Sequence, residues 1–281
     1  MFTPQSIVLI ALTLIVTLYL VCAPRFNTIL YRPLLFHPWK LADEPVAPPL
    51  CGVPGENVYF PSANGKLLNG WFYGNPNAKY TILFSHGNGG NVSVRTDLVE
   101  LLLQTGASVL IYDYEGYGES VGLPSIEGIC QDGTGAYKYL TNIRGIPADT
   151  IIIYGESLGA SVSAYLTTKF ECKALILQSG FSSLKKIAGE IFPLLQIYPD
   201  WLYPTPSLDT ASILETKHPP LLLLHGTKDT LIPYAHAQFL FDHAVGPKKL
   251  VALQETGHAN IFSSAPKAYI TAIKSFLTSL N

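Results

Sequence analysis

The sequence predicts an α/β protein with a mostly parallel central sheet and helices on both of its faces. Two observations predict it. Six short apolar runs recur along the chain, at 81–85, 108–113, 150–155, 174–179, 221–226 and 249–254. They are continuous and rich in leucine or β-branched residues, as strands buried on both faces must be. The intervals 93–104, 126–142, 158–169, 235–244 and 264–279 have helical length and periodicity. Strand–helix alternation of this kind builds a parallel sheet covered on both sides.

In chain order the first element is the apolar run at 7–23, IVLIALTLIVTLYLVCA, which carries no charge. Seventeen residues at about 1.5 Å each reach roughly 26 Å as a helix, close to the ~30 Å hydrocarbon core of a bilayer. A cleavable signal peptide is the competing reading. It calls for a basic residue before the run, and residues 1–6 contain none. Residues 1–24 are therefore read as an uncleaved single-pass anchor. Arg25, Arg32 and Lys40 follow it, and by the positive-inside rule they place the rest of the chain in the cytoplasm. Residues 25–56 are rich in proline (Pro33, Pro38, Pro45, Pro48, Pro49 and Pro54). They read as an extended surface linker.

The domain proper is expected at 57–281. It opens with two strand-like runs, near 57–61 and 67–74, with Asn64-Gly65 between them as a hairpin signal. One interval breaks the later rhythm: 181–218 is long, aromatic and proline-rich, and reads as an inserted lid. The four cysteines are widely spaced without a CxxC pair, and net charge is −2 with no basic stripe. No metal centre, disulfide framework or nucleic-acid partner is indicated.

The chemistry concentrates in a GxSxG pattern, which occurs twice: at Ser157 in GESLG (155–159) and at Ser120 in GESVG (118–122). The pattern suits a serine on a sharp strand-to-helix turn. Ser157 directly follows an apolar strand and opens a proline-free stretch, whereas Ser120 lies in the glycine-rich loop YEGYGESVGLP. Ser157 is the candidate nucleophile, and Ser120 reads as a turn residue shaping the pocket rim. A serine hydroxyl needs a base, and the base needs an acid to hold its tautomer. His258, in ETGHAN between the last strand and the last helix, is the candidate base. Asp229, in HGTKD just after the apolar run that ends in this motif, is the candidate acid. His236 and His243 read as helix-face residues and His225 as a support for the Asp229 loop. Two backbone N–H groups must receive the oxyanion. Leu158 supplies one, and Asn88 in HGNGGN, with Gly89 as the alternative, the other.

Together SHGNGGN (85–91), DYEGYGES (113–120), GESLG (155–159), HGTKD (225–229) and GHAN (257–260) resemble the α/β-hydrolase superfamily. They look most like its membrane-anchored branch of protein depalmitoylases and serine-aminopeptidase-like hydrolases. The resemblance implies a triad of Ser157, Asp229 and His258, oxyanion donors Leu158 and Asn88, and no cofactor or metal. The departure at Gln178 and Gly180 bears on the pocket floor. The expected function is hydrolysis of an acyl ester or thioester, with a lipid-like acyl substrate and contact with a membrane through residues 7–23. The apolar lid residues Phe192, Leu194, Leu195, Ile197, Tyr198, Trp201, Leu202 and Tyr203 are candidates to line an acyl tunnel. A peptidase and a non-catalytic binding protein on the same fold are the alternatives. Against the peptidase, the lid acids Glu190, Asp200, Asp209 and Glu215 are dispersed.

Overall fold

The protein is described by a computed structural model over residues 3–40 and 46–280. Pro45 of the proline-rich stretch lies outside the described residues. The main sheet holds eight strands: β1 (Gly55–Pro61), β2 (Leu67–Tyr73), β3 (Thr81–Ser85), β4 (Ser108–Tyr112), β5 (Ile151–Glu156), β6 (Ala174–Gln178), β7 (Leu221–Gly226) and β8 (Lys248–Leu253). Their spatial order is β1-β2-β4-β3-β5-β6-β7-β8. β1 and β2 form the expected antiparallel hairpin, β2 runs antiparallel to β4, and the other pairs are parallel.

Two N-terminal expectations are modified. The apolar helix α1 runs Pro4–Val21, not 7–23. Thr3 caps it, its side chain accepting from the Ser6 N–H at 3.2 Å, and Pro4 sits in the first turn, where its missing N–H costs nothing. Ala23 instead packs against the lid. The stretch read as an extended linker is helical at α2 (Thr28–Leu35), capped by Asn27 through Leu30 N at 3.0 Å.

Alternate residues of each buried strand feed two cores. Ile151 and Ile153 of β5 join the core under α4 (Ile126–Lys138), α5 (Leu158–Thr167) and α8 (Ala235–His243). Ile152 and Tyr154 join the core under α3 (Thr96–Leu103), α9 (Ile261–Ser264) and α10 (Pro266–Ser279). The three isoleucines are fully buried, each contributing about 1.5–3 kcal/mol relative to exposure. Period-two alternation thus makes one apolar run serve two layers. The lid folds into α6 (Leu184–Ile191), two short 3₁₀ turns and α7 (Thr210–Leu214).

The chain exchanges sides at β3: β4 lies to one side of it and β5 to the other. Such a switch point opens a crevice beyond the carboxyl ends of the strands. The loops after β3 and β5 meet there.

Candidate active site

The β5–α5 turn is tight because two glycines permit it. A Cβ on Gly159 would sit 1.9 Å from the Ser85 carbonyl oxygen, and one on Gly155 would sit 2.1 Å from that of Gly159. With both absent, the turn forces Ser157 to φ 55° and ψ −117°. A non-glycine residue there stores about 1–3 kcal/mol of strain. The Ser157 N–H is tied to the Gln178 carbonyl at 2.8 Å, so the side chain projects above the sheet.

Three side chains from distant parts of the chain meet at this point. His258 Nε2 lies 3.1 Å from Ser157 Oγ, and His258 Nδ1 lies 2.7 Å from Asp229 Oδ2. The carboxylate is fixed from behind: Asp229 Oδ1 accepts the Leu231 and Ile232 N–H groups at 3.0 and 2.8 Å. His225 Nε2 is 2.7 Å from the Ile232 carbonyl and 3.2 Å from Asp229 Oδ2, which is the loop support expected of it. Burial would raise the Asp229 pKa. Hydrogen bonds from His225 and His258, the His258 charge and the Ile232 N–H overcome this and hold it far below the usual carboxylate range. The carboxylate therefore stays ionised wherever the imidazole works. Glu255, near His258 in sequence, turns away to pair with Lys228.

Leu158 opens α5 directly after Ser157, so its N–H is among the first-turn donors without an intrahelical acceptor. Asn88 lines the same cleft as Ser157 and His258. Segment 35–40 straps its loop in place. The Asn88 side chain donates to the Leu35 carbonyl, His37 N to the Asn88 carbonyl and Trp39 N to the Gly90 carbonyl, each at 3.0 Å. Tyr117 Oη donates to the Asn88 carbonyl at 2.7 Å.

Arg95 and Glu156 belong to the site although sequence reasoning did not single them out. Arg95 Nε donates to Glu156 Oε2 at 2.6 Å and Nη2 to the Gly89 carbonyl at 3.0 Å. One guanidinium thus ties the residue before Ser157 to the glycine loop. Burial would raise the Glu156 pKa, but the Arg95 charge and hydrogen bond lower it. A signal was available: a carboxylate ending a buried strand needs a cation within reach.

The cleft holds about 160 Å³, with Val94, Leu98, Leu231, Ile261 and Phe262 on its apolar walls and Gln178 among its polar residues. The lid does not line it. Phe192, Leu195 and Tyr203 line a separate groove, Tyr198 and Leu202 pack beside α1, and Leu194, Ile197 and Trp201 face outward. The structure does not meet the acyl-tunnel expectation, because these residues are taken up by α1, by the groove beside α2 or by the surface, and none lines the cleft. Ser120 is fully buried rather than on the rim. His236 is buried too, its Nδ1 accepting the Ser182 N–H at 3.1 Å and its Nε2 facing Glu190 at 2.9 Å.

A hydroxyl, an imidazole and a carboxylate in series, on a strained turn at the switch point of this sheet, define the α/β-hydrolase class. Sequence comparison agrees: the family model described as Serine aminopeptidase, S33, matches residues 76–219, and the chain belongs to this family of the α/β-hydrolase superfamily. An uncharacterized protein of Mycobacterium tuberculosis is 30% identical over 226 residues, 80% of this chain and 79% of its own length. Alpha/beta hydrolase domain-containing protein 17B of Xenopus tropicalis is 31% identical over 204 residues, 72% of this chain and 68% of its own. Among solved structures, the Pyrococcus furiosus esterase Pf2001 superposes with a TM-score of 0.72 over 87% of this chain and 98% of its own, at 19% identity. That likeness is one of fold.

Proposed function

We propose that the chain is a membrane-anchored serine hydrolase that cleaves acyl esters or thioesters through an acyl-enzyme on Ser157. The observation that carries this reading is the unbroken series Ser157 Oγ, His258 Nε2, His258 Nδ1, Asp229 Oδ2, at 3.1 and 2.7 Å. In the first step His258 Nε2 takes the Ser157 proton as Oγ adds to the substrate carbonyl. The developing oxyanion is received by the Leu158 and Asn88 N–H groups, a donor of this kind being worth about 3 kcal/mol. The imidazolium, stabilised by ionised Asp229, then returns its proton to the leaving alkoxide or thiolate. Water activated by the same imidazole cleaves the acyl-enzyme.

Two features support an acyl substrate. The cleft walls are largely apolar, and at about 160 Å³ the cleft lies below the roughly 300–1,000 Å³ of drug-sized ligand sites. It suits the reacting end of an acyl group better than a whole lipid. The anchor reading rests on α1, an 18-residue apolar helix with no residue buried in the fold. The charges that follow it, Arg25, Arg32 and Lys40, support a cytoplasmic catalytic domain.

The matched family's description favours a peptidase as the second reading. Glu190 and Asp200 are engaged by His236 and Lys185, and Asp209 caps α7. Asp97, on the cleft wall, is the carboxylate placed to receive a substrate ammonium. A panel of p-nitrophenyl esters and aminoacyl p-nitroanilides separates the two. Ester hydrolysis, with fluorophosphonate labelling lost in Ser157→Ala, is expected; a sharp preference for the aminoacyl amides would overturn the esterase reading.

A further inference from the structure

Helix α1 is not a free tether. The Tyr19 ring stacks on Tyr198 with centroids 4.8 Å apart, and its hydroxyl donates to the Ile197 carbonyl at 3.0 Å. Ala23, Tyr198, Leu202 and Tyr203 form a small buried core, with Leu20 and Leu195 at its edge. Arg25 N donates to the Leu202 carbonyl at 2.8 Å and its guanidinium to the Trp201 carbonyl at 3.1 Å. The depth of the lid is thereby set relative to the end of the apolar helix. Tyr19 precedes the last helical residue, Val21, by two positions, a rise of about 3 Å. Whatever boundary α1 meets at its C-terminal end, the lid meets at nearly the same level.

The surface around this junction is apolar. Leu194 is 81% exposed, and Ile197 and Trp201 are 60% exposed. On α2 and its approach, Phe26, Leu30 and Leu34 are also exposed, and Leu30 and Leu34, four positions apart within α2, form one helical stripe. Leu34 meets Ile191 and Phe192 across a groove of about 110 Å³ between α2 and α6. The stripe and the lid therefore form one continuous face. Water-exposed apolar surface of this extent marks a binding surface.

We propose that this α2–lid face docks on a lipid surface: it lies in the interfacial layer of the same bilayer that α1 crosses. The inference rests on the anchor reading above and adds the orientation of the domain. Continuity selects the occupant, because the face adjoins the membrane-spanning helix and is rigidly joined to it by Tyr19 and Arg25. Trp201 and Tyr19 occupy the headgroup level, where amphipathic aromatic rings are favoured. Leu35 lines the groove and its carbonyl accepts the Asn88 side chain. The docked face and the Ser157 cleft are thus neighbours, joined through this hydrogen bond between Leu35 and Asn88.

Trp201 reports the docking directly. Of three tryptophans, Trp71 is 2% exposed in the core and Trp39 is exposed near the glycine loop. Full-length Trp39→Phe protein, reconstituted in phosphatidylcholine vesicles, is compared with Trp39→Phe/Trp201→Phe, using lipids brominated at shallow or deep chain positions. Shallow bromines, about 5–10 Å below the surface, are expected to quench the first protein at least about twofold more than the second. Equal quenching overturns the inference. Alkaline carbonate extraction tells which claim has failed: protein that resists extraction but shows equal quenching is anchored with this face away from lipid, whereas extracted protein with equal quenching loses the anchor as well.

Discussion

The pentapeptide Gly-Glu-Ser-x-Gly appears at 118–122 and at 155–159, and the two copies serve different ends. At the second, neither glycine has positive φ; each is required because a neighbouring carbonyl leaves no room for a Cβ. At the first, Gly118 and Gly122 take φ of 45° and 104°, so glycine there serves the bend itself. Ser157 holds the positive φ in its own copy and points its hydroxyl at His258. Ser120 donates to the Asp113 carbonyl at 2.8 Å and accepts the Asn69 N–H at 2.9 Å, which uses its hydroxyl entirely in holding a loop to β2. Glu156 is buried against Arg95, while Glu119 accepts from Tyr59 at the surface. Identical residues become a reactive turn or a structural one according to whether a buried strand ends immediately before them.

The sharpest way to break the comparison is to remove each hydroxyl. Ser157→Ala is expected to lower kcat by about 10⁶-fold with little loss of stability. Ser120→Ala is expected to leave fluorophosphonate labelling intact and to cost about 1–3 kcal/mol in urea unfolding, because it strands buried backbone groups. Comparable activity losses in both would end the distinction. Asp229→Asn comes next, with kcat falling about 10⁴-fold and thermal stability measured alongside to separate lost chemistry from lost structure.

Arg95→Met should cost about 3 kcal/mol, since it leaves the Glu156 carboxylate buried without its cation. Adding Glu156→Gln should recover most of that stability, measured by denaturant unfolding, but not the tie to the Gly89 carbonyl. Turnover in the double variant is therefore expected to stay below that of the parent.

The last effect is one of pH and belongs to the structural copy. Asp132 accepts the Glu115 N–H at 2.9 Å beneath that loop. Burial, opposed by this bond, pushes its pKa up from 3.8 to about 7. A folded pKa above the unfolded one means that its contribution is full below the unfolded value and is lost as pH rises through the folded one. Asp132→Asn should flatten the fall in Tm across that window, read by thermal melts at several pH values. Asp229, with its folded pKa depressed, behaves oppositely: its contribution is present above the unfolded value and disappears only in strong acid.

Much of the fold was legible in the sequence because its signals are local. A buried parallel strand needs a continuous apolar run, and a helix needs its own period, so 81–85, 150–155 and 221–226 declare themselves within a few residues. Ser157, Asp229 and His258 were legible for a related reason: each sits just after a recognisable strand, where chain order limits the partners. Segment 35–40 shows where such reading stops. The prolines of 25–56 suggested an extended linker, yet α2 leads into this segment and its backbone straps the Asn88 loop. Nothing in those residues names Asn88 or Gly90 as partners.

The sequence alone determined the alternating strands and helices, the apolar N-terminal helix and the three side chains of the candidate site, because periodicity and motif are encoded within short windows. Only the tertiary structure decided that Arg95 clamps Glu156 to the glycine loop, and that Tyr198 and Leu202 of the lid pack beside α1 rather than into the cleft. Those outcomes are contacts between segments far apart in the chain, and complementarity of shape and charge across such distances leaves no spacing to read.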